Sequence, residues 1–190
     1  MRVIAGSARG HRLKGPPGPQ TRPMADKIRE ALFSSLASLG VEPERILDLY
    51  AGTGSIGIEA LSRGGNYADF VDQQPAACAV IRANLAHTKF SEQATVHCMP
   101  IGQFLRRNVA PYDFVILDPP YADPLIEATL EQIGKSPLVQ SQTIVVLGHW
   151  PRLETGSRIG RLGLLKRRCH GDSCFSILEV SDELDRETPE

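Results

Sequence analysis

The sequence predicts an α/β fold in which helices cover both faces of a doubly wound, mostly parallel sheet. Two observations support this prediction. Between residues 46 and 147, short apolar runs alternate with longer stretches whose apolar residues recur at helical spacing, which is the order expected of βαβ units. After residue 160, two further strand patterns are joined by a short polar turn, which indicates an antiparallel hairpin that closes the sheet.

The elements are predicted in chain order. The N-terminal segment contains two short strands joined by a turn, which together form a β-hairpin arm. A helix over 24–39 follows, because apolar residues from Ile28 to Leu39 recur on one face. Seven strands are expected after it, at 46–50, 68–72, 94–98, 112–117, 143–147, 160–169 and 174–180. The remaining helices are expected at 56–63, 76–87, 102–108 and 125–133.

Composition and charge divide the chain into three parts. With 190 residues and 42% apolar content, one domain can bury a core. The net charge of −1 conceals an asymmetry: residues 1–30 carry seven basic and two acidic residues, and the last ten carry one basic and five acidic residues. A local basic surface is what phosphate contacts require. We therefore predict a basic arm over 1–22, a main domain over 23–180 and an acidic, disordered tail over 181–190.

Cysteine spacing and hydropathy argue against several other classes of protein. The four cysteines form no CxxC pair, so they are interpreted as reduced thiols of a cytoplasmic protein. No histidine pairs with a cysteine or a carboxylate at ligand spacing, and no metal is predicted. No segment approaches the roughly 18 apolar residues that a membrane span needs.

A glycine-marked turn indicates a nucleotide-like cofactor. Gly52, Gly54 and Gly57 satisfy GxGxxG between a strand and a helix, a pattern that also describes dinucleotide binding. Asp72 ends the next strand 20 residues after Gly52, where an acid contacts ribose hydroxyls in nicotinamide enzymes and in S-adenosylmethionine enzymes alike. Asp48 lies beside the turn, where a carboxylate suits a cationic ligand better than a pyrophosphate.

A second motif, Asp118-Pro119-Pro120-Tyr121, directly follows the apolar strand 114–117. An ionised carboxylate only accepts hydrogen bonds, and each proline offers a carbonyl without a competing N–H. The motif also lies where open α/β sheets bind ligands, and the tyrosine supplies a flat face for a ring. The sequence thus predicts a site that holds a planar amino group by its hydrogens. A proline-stiffened loop without chemistry is the alternative.

With these motifs in place, the chain resembles the bacterial 16S ribosomal RNA guanine-N2 methyltransferase family in its short single-domain form. The resemblance implies a class I, Rossmann-like methyltransferase of the DPPY type with a seven-stranded sheet. It also implies transfer of a methyl group from S-adenosyl-L-methionine to the exocyclic N2 amine of a guanine in small-subunit ribosomal RNA. The segments that match are 1–6, 21–23, 29–33, 48–54, 59–64 and 118–121.

Site residues are assigned from these motifs and from the resemblance. The expected cofactor contacts are Asp48, Ala51, Gly52, Thr53, Gly54, Asp72 and the backbone of Ile101. The expected catalytic residues are Asp118, Pro119, Pro120 and Tyr121. The expected RNA contacts are Arg2, Arg9, Arg12, Lys14, Arg22 and Tyr121, and a second basic set, Arg161, Lys166, Arg167 and Arg168, could extend that face.

Three further positions are compared with the family pattern: one matches it and two depart from it. Arg29 matches a family motif close to the cofactor and RNA, with a surface arginine at a helix start as the competing account. Pro100 and Gly148 depart from the family pattern, because acids usually stand near both positions. The departure near Pro100 removes a side-chain contact to the adenine amine and leaves the Ile101 N–H as its replacement.

The expected partner is 16S ribosomal RNA or a partly assembled small subunit, bound by a monomer. Three alternatives stay open. The first is a methyltransferase acting on another amine, such as adenine N6 in DNA or RNA, or a protein amide; an acid at Asp118, where such enzymes often have asparagine, favours guanine modestly. The second is a nicotinamide oxidoreductase, for which no hydride-transfer constellation is found. The third is a non-catalytic RNA-binding module.

Overall fold

A computed structural model describes residues 1–15, 26–107, 109–120, 124–153 and 156–182. In this part of the chain the strands are β1 (Arg45–Leu49), β2 (Tyr67–Asp72), β3 (Ala94–Cys98), β4 (Tyr112–Leu117), β5 (Val139–His149), β6 (Arg158–Ile159), β7 (Leu162–His170) and β8 (Ser173–Val180). The α-helices are α1 (Asp26–Ser38), α2 (Ser55–Ser62), α3 (Pro75–Thr88), α4 (Ile101–Phe104) and α5 (Ile126–Lys135). A short 3₁₀ helix, Ser91–Gln93, precedes β3.

The strands form one sheet in the order β3-β2-β1-β4-β5-β8-β7-β6, which confirms the predicted α/β class. Strands β1 to β5 pair with one another in parallel, and β8 runs antiparallel to both β5 and β7, as the predicted hairpin requires. The expected count of seven strands is wrong for the described residues, because the short β6 also pairs with β7. Two residues are too few to show the alternation by which a strand is recognised in sequence.

Two elements differ most from their predicted bounds. Strand β5 begins at Val139 instead of residue 143, although Gln140 to Gln142 are exposed and polar. The buried Thr143 hydroxyl stabilises this extension, because it accepts the Gln140 N–H at 3.0 Å and donates to the Tyr112 carbonyl at 2.8 Å. Helix α4 is only one turn long, whereas the prediction extended it to residue 108.

Apolar side chains pack on both faces of the sheet, as a doubly wound fold requires. One core cluster joins α1, α2 and α3 to the face that carries Phe70 and Phe114. The other joins α4 and α5 to the opposite face, with Val71 and Val115. Neighbouring residues of one strand thus belong to different cores, which explains why the central strands contain consecutive apolar residues, as at 46–47 and 114–117, and show no period-two pattern.

Residues 1–15 are packed against α2 and α3. A single antiparallel bridge, Arg2 to Arg12, represents the expected hairpin arm. The main-chain N–H groups of Ile4 and Ala5 donate to the Glu59 carboxylate at 2.8 and 3.0 Å, so the buried acid of α2 acts as an anchor. Three apolar side chains of the segment complete the contact by joining the core: Val3, Ala8 and Leu13.

Arg29 lies beneath this segment and is fully buried, so the surface account of it is wrong. Its Nη2 donates to the Arg2 carbonyl and to Asp26, and its Nε lies 3.8 Å from the Glu59 carboxylate. Burial lowers the pKa of this guanidinium, while Glu59 and Asp26 oppose that effect. Arg29 therefore helps to join the N-terminal segment, α1 and α2.

Cys169 and Cys174 form a disulfide across the β7–β8 hairpin, so the interpretation of all four cysteines as reduced thiols is wrong in this structure. The two residues are direct cross-strand partners with Cα atoms 4.0 Å apart. The sequence argument considered only metal-binding spacings, and these do not detect two cysteines placed opposite each other by a tight hairpin. Cys78 and Cys98 are free thiols.

Candidate functional site

Three carboxylates meet at the carboxyl edge of the sheet. Asp48 lies in β1, Asp72 ends β2, and Asp118 directly follows β4. In the strand register, Asp48 pairs with Phe70 of β2 and with Ile116 of β4. Asp72 lies two residues beyond Phe70, and Asp118 lies two residues beyond Ile116. Because alternate residues of a strand face the same way, the three acids lie on one face of the sheet. Burial raises the pKa of Asp48 well above its usual range, and repulsion from Asp118 and Asp72 raises it further. The structure therefore brings together the three acids predicted from the sequence.

Asp48 lies beneath the glycine turn, with 2% of its surface exposed. One of its oxygens accepts the Gly57 N–H at 3.0 Å, which ties β1 to the first turn of α2. A Cβ at Gly57 would lie 2.9 Å from this oxygen and 2.5 Å from the Phe70 ring. The third glycine of the motif is therefore required by close packing.

The glycine turn begins at a residue with an unusual backbone conformation, and a carboxylate binds its central N–H group. Tyr50 has φ of 56°, in the left-handed region that residues other than glycine seldom adopt. Asp72 accepts the Gly52 N–H at 2.9 Å through one oxygen and the Gln74 N–H at 2.8 Å through the other. The Gly54 N–H donates to the Ala51 carbonyl at 2.6 Å. The predicted ribose acid thus also orders the turn, and each of its oxygens keeps a lone pair for a ligand hydroxyl.

Asn84 supports the same turn and was missed by the sequence argument. Its amide Nδ2 donates to the Thr53 carbonyl at 2.9 Å and to the Lys14 carbonyl at 3.2 Å, and its Oδ1 accepts the Lys14 N–H at 2.8 Å. A single side chain, only 1% exposed, thereby links the N-terminal segment to the predicted cofactor turn. The available signal was an amide within the apolar stripe of α3, between Ile81 and Leu85.

The segment after β3 forms the next part of the edge. Pro100 precedes α4, and Ile101 is its first residue, so the Ile101 N–H lacks an intrahelical acceptor. The Met99 N–H donates to the Asp72 carbonyl at 3.0 Å, which places this segment against the end of β2. The predicted adenine contact therefore adjoins the predicted ribose contact.

The proposed catalytic segment begins at the end of β4. Asp118 is half-buried, Pro119 is buried and Pro120 is exposed. Burial raises the pKa of Asp118 to about 6, so the carboxylate predominates at neutral pH. Tyr121 lies outside the described residues, and its predicted role stays a prediction.

Four of the predicted RNA contacts other than Tyr121 lie in the described part of the chain, and one lies outside it. Arg2, Arg9, Arg12 and Lys14 are exposed on the N-terminal segment. Arg22 lies outside the described residues. Because the segment is bonded to Glu59 and Asn84 through main-chain groups, its basic side chains remain available to a ligand.

Two further findings bear on the class of site. Among the described residues, no three side chains of His, Cys, Asp or Glu gather as metal ligands would. In the same part of the chain, no helix combines the length and hydropathy needed to cross a bilayer.

Known proteins are similar to this chain in sequence. Residues 1–179 match the family model described as "Conserved hypothetical protein 95". The chain is 32% identical over 174 residues to the "Putative rRNA methyltransferase YlbH" of Bacillus subtilis, covering 90% of this chain and 94% of that protein. It is also 32% identical over 145 residues to the "Ribosomal RNA small subunit methyltransferase D" of Escherichia coli K12, covering 76% of this chain and 72% of that protein.

Solved structures agree with the architecture. The hypothetical protein TTHA0928 of Thermus thermophilus superimposes with a TM-score of 0.81 at 31% identity, covering 95% of this chain and 99% of that one. An RNA methyltransferase of Salinibacter ruber, solved in complex with S-adenosyl-L-homocysteine, has a TM-score of 0.67 at 14% identity, covering 89% of this chain and all of that one, and shows a shared fold. The chain therefore belongs to the "Conserved hypothetical protein 95" family, which confirms the membership in the ribosomal RNA methyltransferases indicated by its motifs.

Proposed function

We propose that this protein methylates the exocyclic N2 amine of a guanine in small-subunit ribosomal RNA, with S-adenosyl-L-methionine as the methyl donor. The observation that carries the proposal is the placement of Asp118, followed by two prolines, on the same sheet face and at the same edge as Asp48 and Asp72. This arrangement supports the proposal because an acceptor-only segment would then lie beside the acids proposed to bind the cofactor.

The acidic cluster fits the proposed cofactor. Burial raises the pKa of Asp48, and repulsion from Asp118 and Asp72 raises it further. A ligand with an ammonium and a sulfonium would relieve this repulsion, whereas a pyrophosphate would increase it. Asp72 would bind the ribose hydroxyls, the turn from Ala51 to Gly54 would lie along the amino-acid part, and the Ile101 N–H would meet the adenine. When bound, S-adenosyl-L-methionine supplies an electrophilic methyl group.

Asp118 and Pro119 would make the guanine amine reactive. The lone pair of N2 is delocalised into the purine ring, so the nitrogen is a poor nucleophile while it is planar. Asp118 would accept one N–H and the Pro119 carbonyl the other, which favours the tetrahedral nitrogen of the transition state. As the N–C bond forms, the bond between the methyl group and sulfur breaks, and its electron pair stays on the departing thioether. N2 becomes cationic and releases one proton to Asp118 or to water.

Positioning supplies most of the remaining rate enhancement. A base held in line with the methyl group replaces a bimolecular encounter, an effect that reaches about 7–11 kcal/mol in favourable cases. Tyr121 would stack on the base and fix its plane, at about 1–3 kcal/mol per stacked base. Neither contribution requires a metal or a covalent enzyme intermediate.

The N-terminal segment would contact the RNA backbone. Arg2, Arg9, Arg12 and Lys14 are exposed, and phosphate contacts from such residues offset the cost of unstacking the target guanine. The proposal includes the cytoplasm as the place of action, and a monomer as the acting form. Free RNA and a partly assembled small subunit are both candidate substrates.

The test is methyl transfer from labelled S-adenosyl-L-methionine to small-subunit RNA from a strain lacking the enzyme, followed by nucleoside analysis. We expect N2-methylguanosine. Asp118→Ala is expected to lose turnover while cofactor binding, measured by calorimetry, is largely retained. Recovery of methyladenosine would refute the guanine assignment, and an Asp118→Ala variant with normal turnover would refute the mechanism.

A further inference from the structure

A second basic surface, at the end of the sheet next to Asp118, is not used by the proposed mechanism. We define the hairpin surface as Trp150, Arg152, Lys166, Arg167 and Arg168. Trp150 and Arg152 follow β5, and the other three lie on β7. Trp150 is 45% exposed, so part of its ring is open to a ligand.

The strand register relates this surface to the proposed catalytic acid. Leu117 of β4 pairs with Leu147 of β5, so the next residues along, Asp118 and Gly148, lie side by side. On the next two strands, Gly148 pairs with Phe175 of β8, and Phe175 pairs with Arg168 of β7. Asp118 and Arg168 therefore end one cross-sheet row and lie on the same face. Three strand spacings separate them, or about 14 Å between Cα atoms.

Trp150 lies at the same edge of the sheet. Leu147 and Leu117 are register partners in β5 and β4. Trp150 and Pro120 each follow their leucine by three residues, so they lie at equivalent positions beyond the two strands. The Arg167 Nη2 donates to the Pro151 carbonyl at 2.7 Å, which joins β7 to the segment that carries Trp150. The tryptophan is thus held next to the strand that ends at the proposed catalytic motif.

The charge of the surrounding hairpin suits an anion. From residue 160 to residue 180 there are four basic residues and two acids, Asp172 in the turn and Glu179 in β8. Arg161 is paired with Asp182, which leaves three basic residues near Trp150: Lys166, Arg167 and Arg168. Arg152 adds a further exposed positive charge beside Trp150. A flat aromatic side chain among arginines is the combination that binds unpaired nucleotides, by stacking on the base and by contacts to its phosphate.

We propose that the hairpin surface binds a single-stranded nucleotide flanking the target guanine, with its base stacked on Trp150 and its phosphate contacted by Arg168 and Arg152. This inference rests on the proposed function, because it names the RNA contact of the same site. A guanine that leaves its stack to enter the site exposes its neighbours, and a nearby aromatic surface would stabilise that unstacked form. Arg167 is a positioning residue that orients the Trp150 segment.

Trp150 is the only tryptophan of the chain, so its fluorescence reports directly on the proposed contact. The first measurement titrates the protein with a single-stranded oligoribonucleotide and with heparin, a polyanion without bases. We expect quenching by the oligonucleotide and little change with heparin. Unchanged fluorescence at an RNA concentration that saturates binding in a filter assay would overturn the inference.

Variants provide the second measurement. Trp150→Leu is expected to weaken oligonucleotide binding by about 5- to 100-fold, whereas Trp150→Phe retains most of the affinity because it still stacks. Arg168→Glu is expected to weaken binding and to reduce the slope of log affinity against log salt by at least about one. The controls are Leu39→Ala, which changes an exposed apolar residue of similar exposure, and Lys135→Glu, which lies before β5 at the opposite sheet edge.

The two proposals fail in different ways. Trp150→Leu with a normal KM for RNA, in an enzyme whose wild type is active, overturns the hairpin contact alone. Quenching by RNA and loss of affinity in Trp150→Leu, with no methyl transfer by the wild type, support the contact and overturn the proposed function. In either case, the affinity for S-adenosyl-L-methionine is expected to be unchanged in the hairpin variants.

Discussion

Asn84 donates to the main-chain carbonyl of Thr53 over 2.9 Å, and the same amide is bonded to both main-chain groups of Lys14. The N-terminal segment and the glycine turn are therefore positioned by one buried side chain. Asn84→Ala leaves three main-chain groups without this partner. We expect the free energy of unfolding to fall by about 1–3 kcal/mol and the affinity for S-adenosyl-L-methionine to fall several-fold.

Thr88→Ala is the matched control for this prediction. Thr88 is equally buried and lies one turn further along α3, but its hydroxyl donates only to carbonyls of its own helix, those of Asn84 and Leu85. Chemical denaturation and calorimetry with the cofactor measure the two effects. Equal cofactor affinity in Asn84→Ala and Thr88→Ala would show that the turn does not depend on the amide.

Asp48→Asn is expected to move stability and cofactor affinity in opposite directions. The pKa of Asp48 is raised by burial and by its two neighbouring acids, so the folded protein holds a proton that the unfolded chain releases above about pH 4. The free energy of unfolding therefore falls as pH rises through this window. Asparagine removes that decline and can still accept the Gly57 N–H.

We thus expect Asp48→Asn to be more stable than the wild type at pH 7. We also expect it to bind S-adenosyl-L-methionine more weakly, because the bound ammonium would favour ionisation of Asp48 and asparagine cannot supply that charge. Denaturation at pH 5 and pH 7 measures the first effect and calorimetry the second. A variant that loses stability at pH 7 would contradict the assignment of a raised pKa.

The rate of methyl transfer is expected to follow the ionisation of Asp118. With a pKa of about 6, the carboxylate that accepts the amine hydrogens is lost as pH falls, so turnover at saturating substrates should drop tenfold per unit below pH 6 and level off above pH 7. Asp118→Asn should lower turnover by about 10²-fold or more and abolish this acidic limb. An unchanged limb in Asp118→Asn would assign the titration to another group.

Gly6→Ala is expected to displace the N-terminal segment. A Cβ at Gly6 would lie 1.7 Å from the Ser62 carbonyl oxygen, and the glycine has φ of +81°. Overpacking costs about 1–3 kcal/mol, and the left-handed conformation adds about 1–2 kcal/mol. Gly10→Ala is the control, because Gly10 has φ of +87° and open space around the added atom.

Both variants therefore carry the conformational cost, and only Gly6→Ala carries the clash. Thermal denaturation and RNA affinity are the measurements. Similar losses in the two variants would show that the contact with Ser62 does not hold the segment in place.

The Cys169–Cys174 disulfide determines how many cysteines an alkylating reagent can modify. Alkylation of the unfolded protein without reductant should modify two cysteines, Cys78 and Cys98, and alkylation after reduction should modify four. Reduction is expected to lower the free energy of unfolding by about 2 kcal/mol, because the bridge closes only a short loop. Intact mass spectrometry distinguishes the two states, and four modified cysteines without reductant would contradict the bridge.

The sequence predicted the parts of the fold that local pattern determines. Strands β3 and β4 have their predicted bounds, because residues that interrupt a strand pattern flank them: Gln93 and Pro100 around β3, and Pro111 and Asp118 around β4. The three acids were recognised because each follows or ends such a run. The extension of β5 to Val139 was not predictable in this way, because Thr143 stabilises it through a contact with a different strand.

The remaining errors share a physical cause. The surface account of Arg29 was based on its charge and its place at a helix start, yet Arg2 and Glu59 from distant segments, together with the nearby Asp26, hold it in the interior. Asn84 and the Cys169–Cys174 pair likewise depend on residues distant in sequence or brought together by a turn. Long-range partners of polar side chains leave no periodic signal in a single sequence.

The way residues 1–15 attach to the protein separates anchoring from recognition. Ile4, Ala5 and Lys14 engage Glu59 and Asn84 through peptide groups that every non-proline residue possesses. The outward side chains at Arg2, Arg9 and Arg12 can therefore be exchanged in any combination without rebuilding the attachment. Under the proposed function, a change of RNA preference through these side chains would therefore not require a change in the fold.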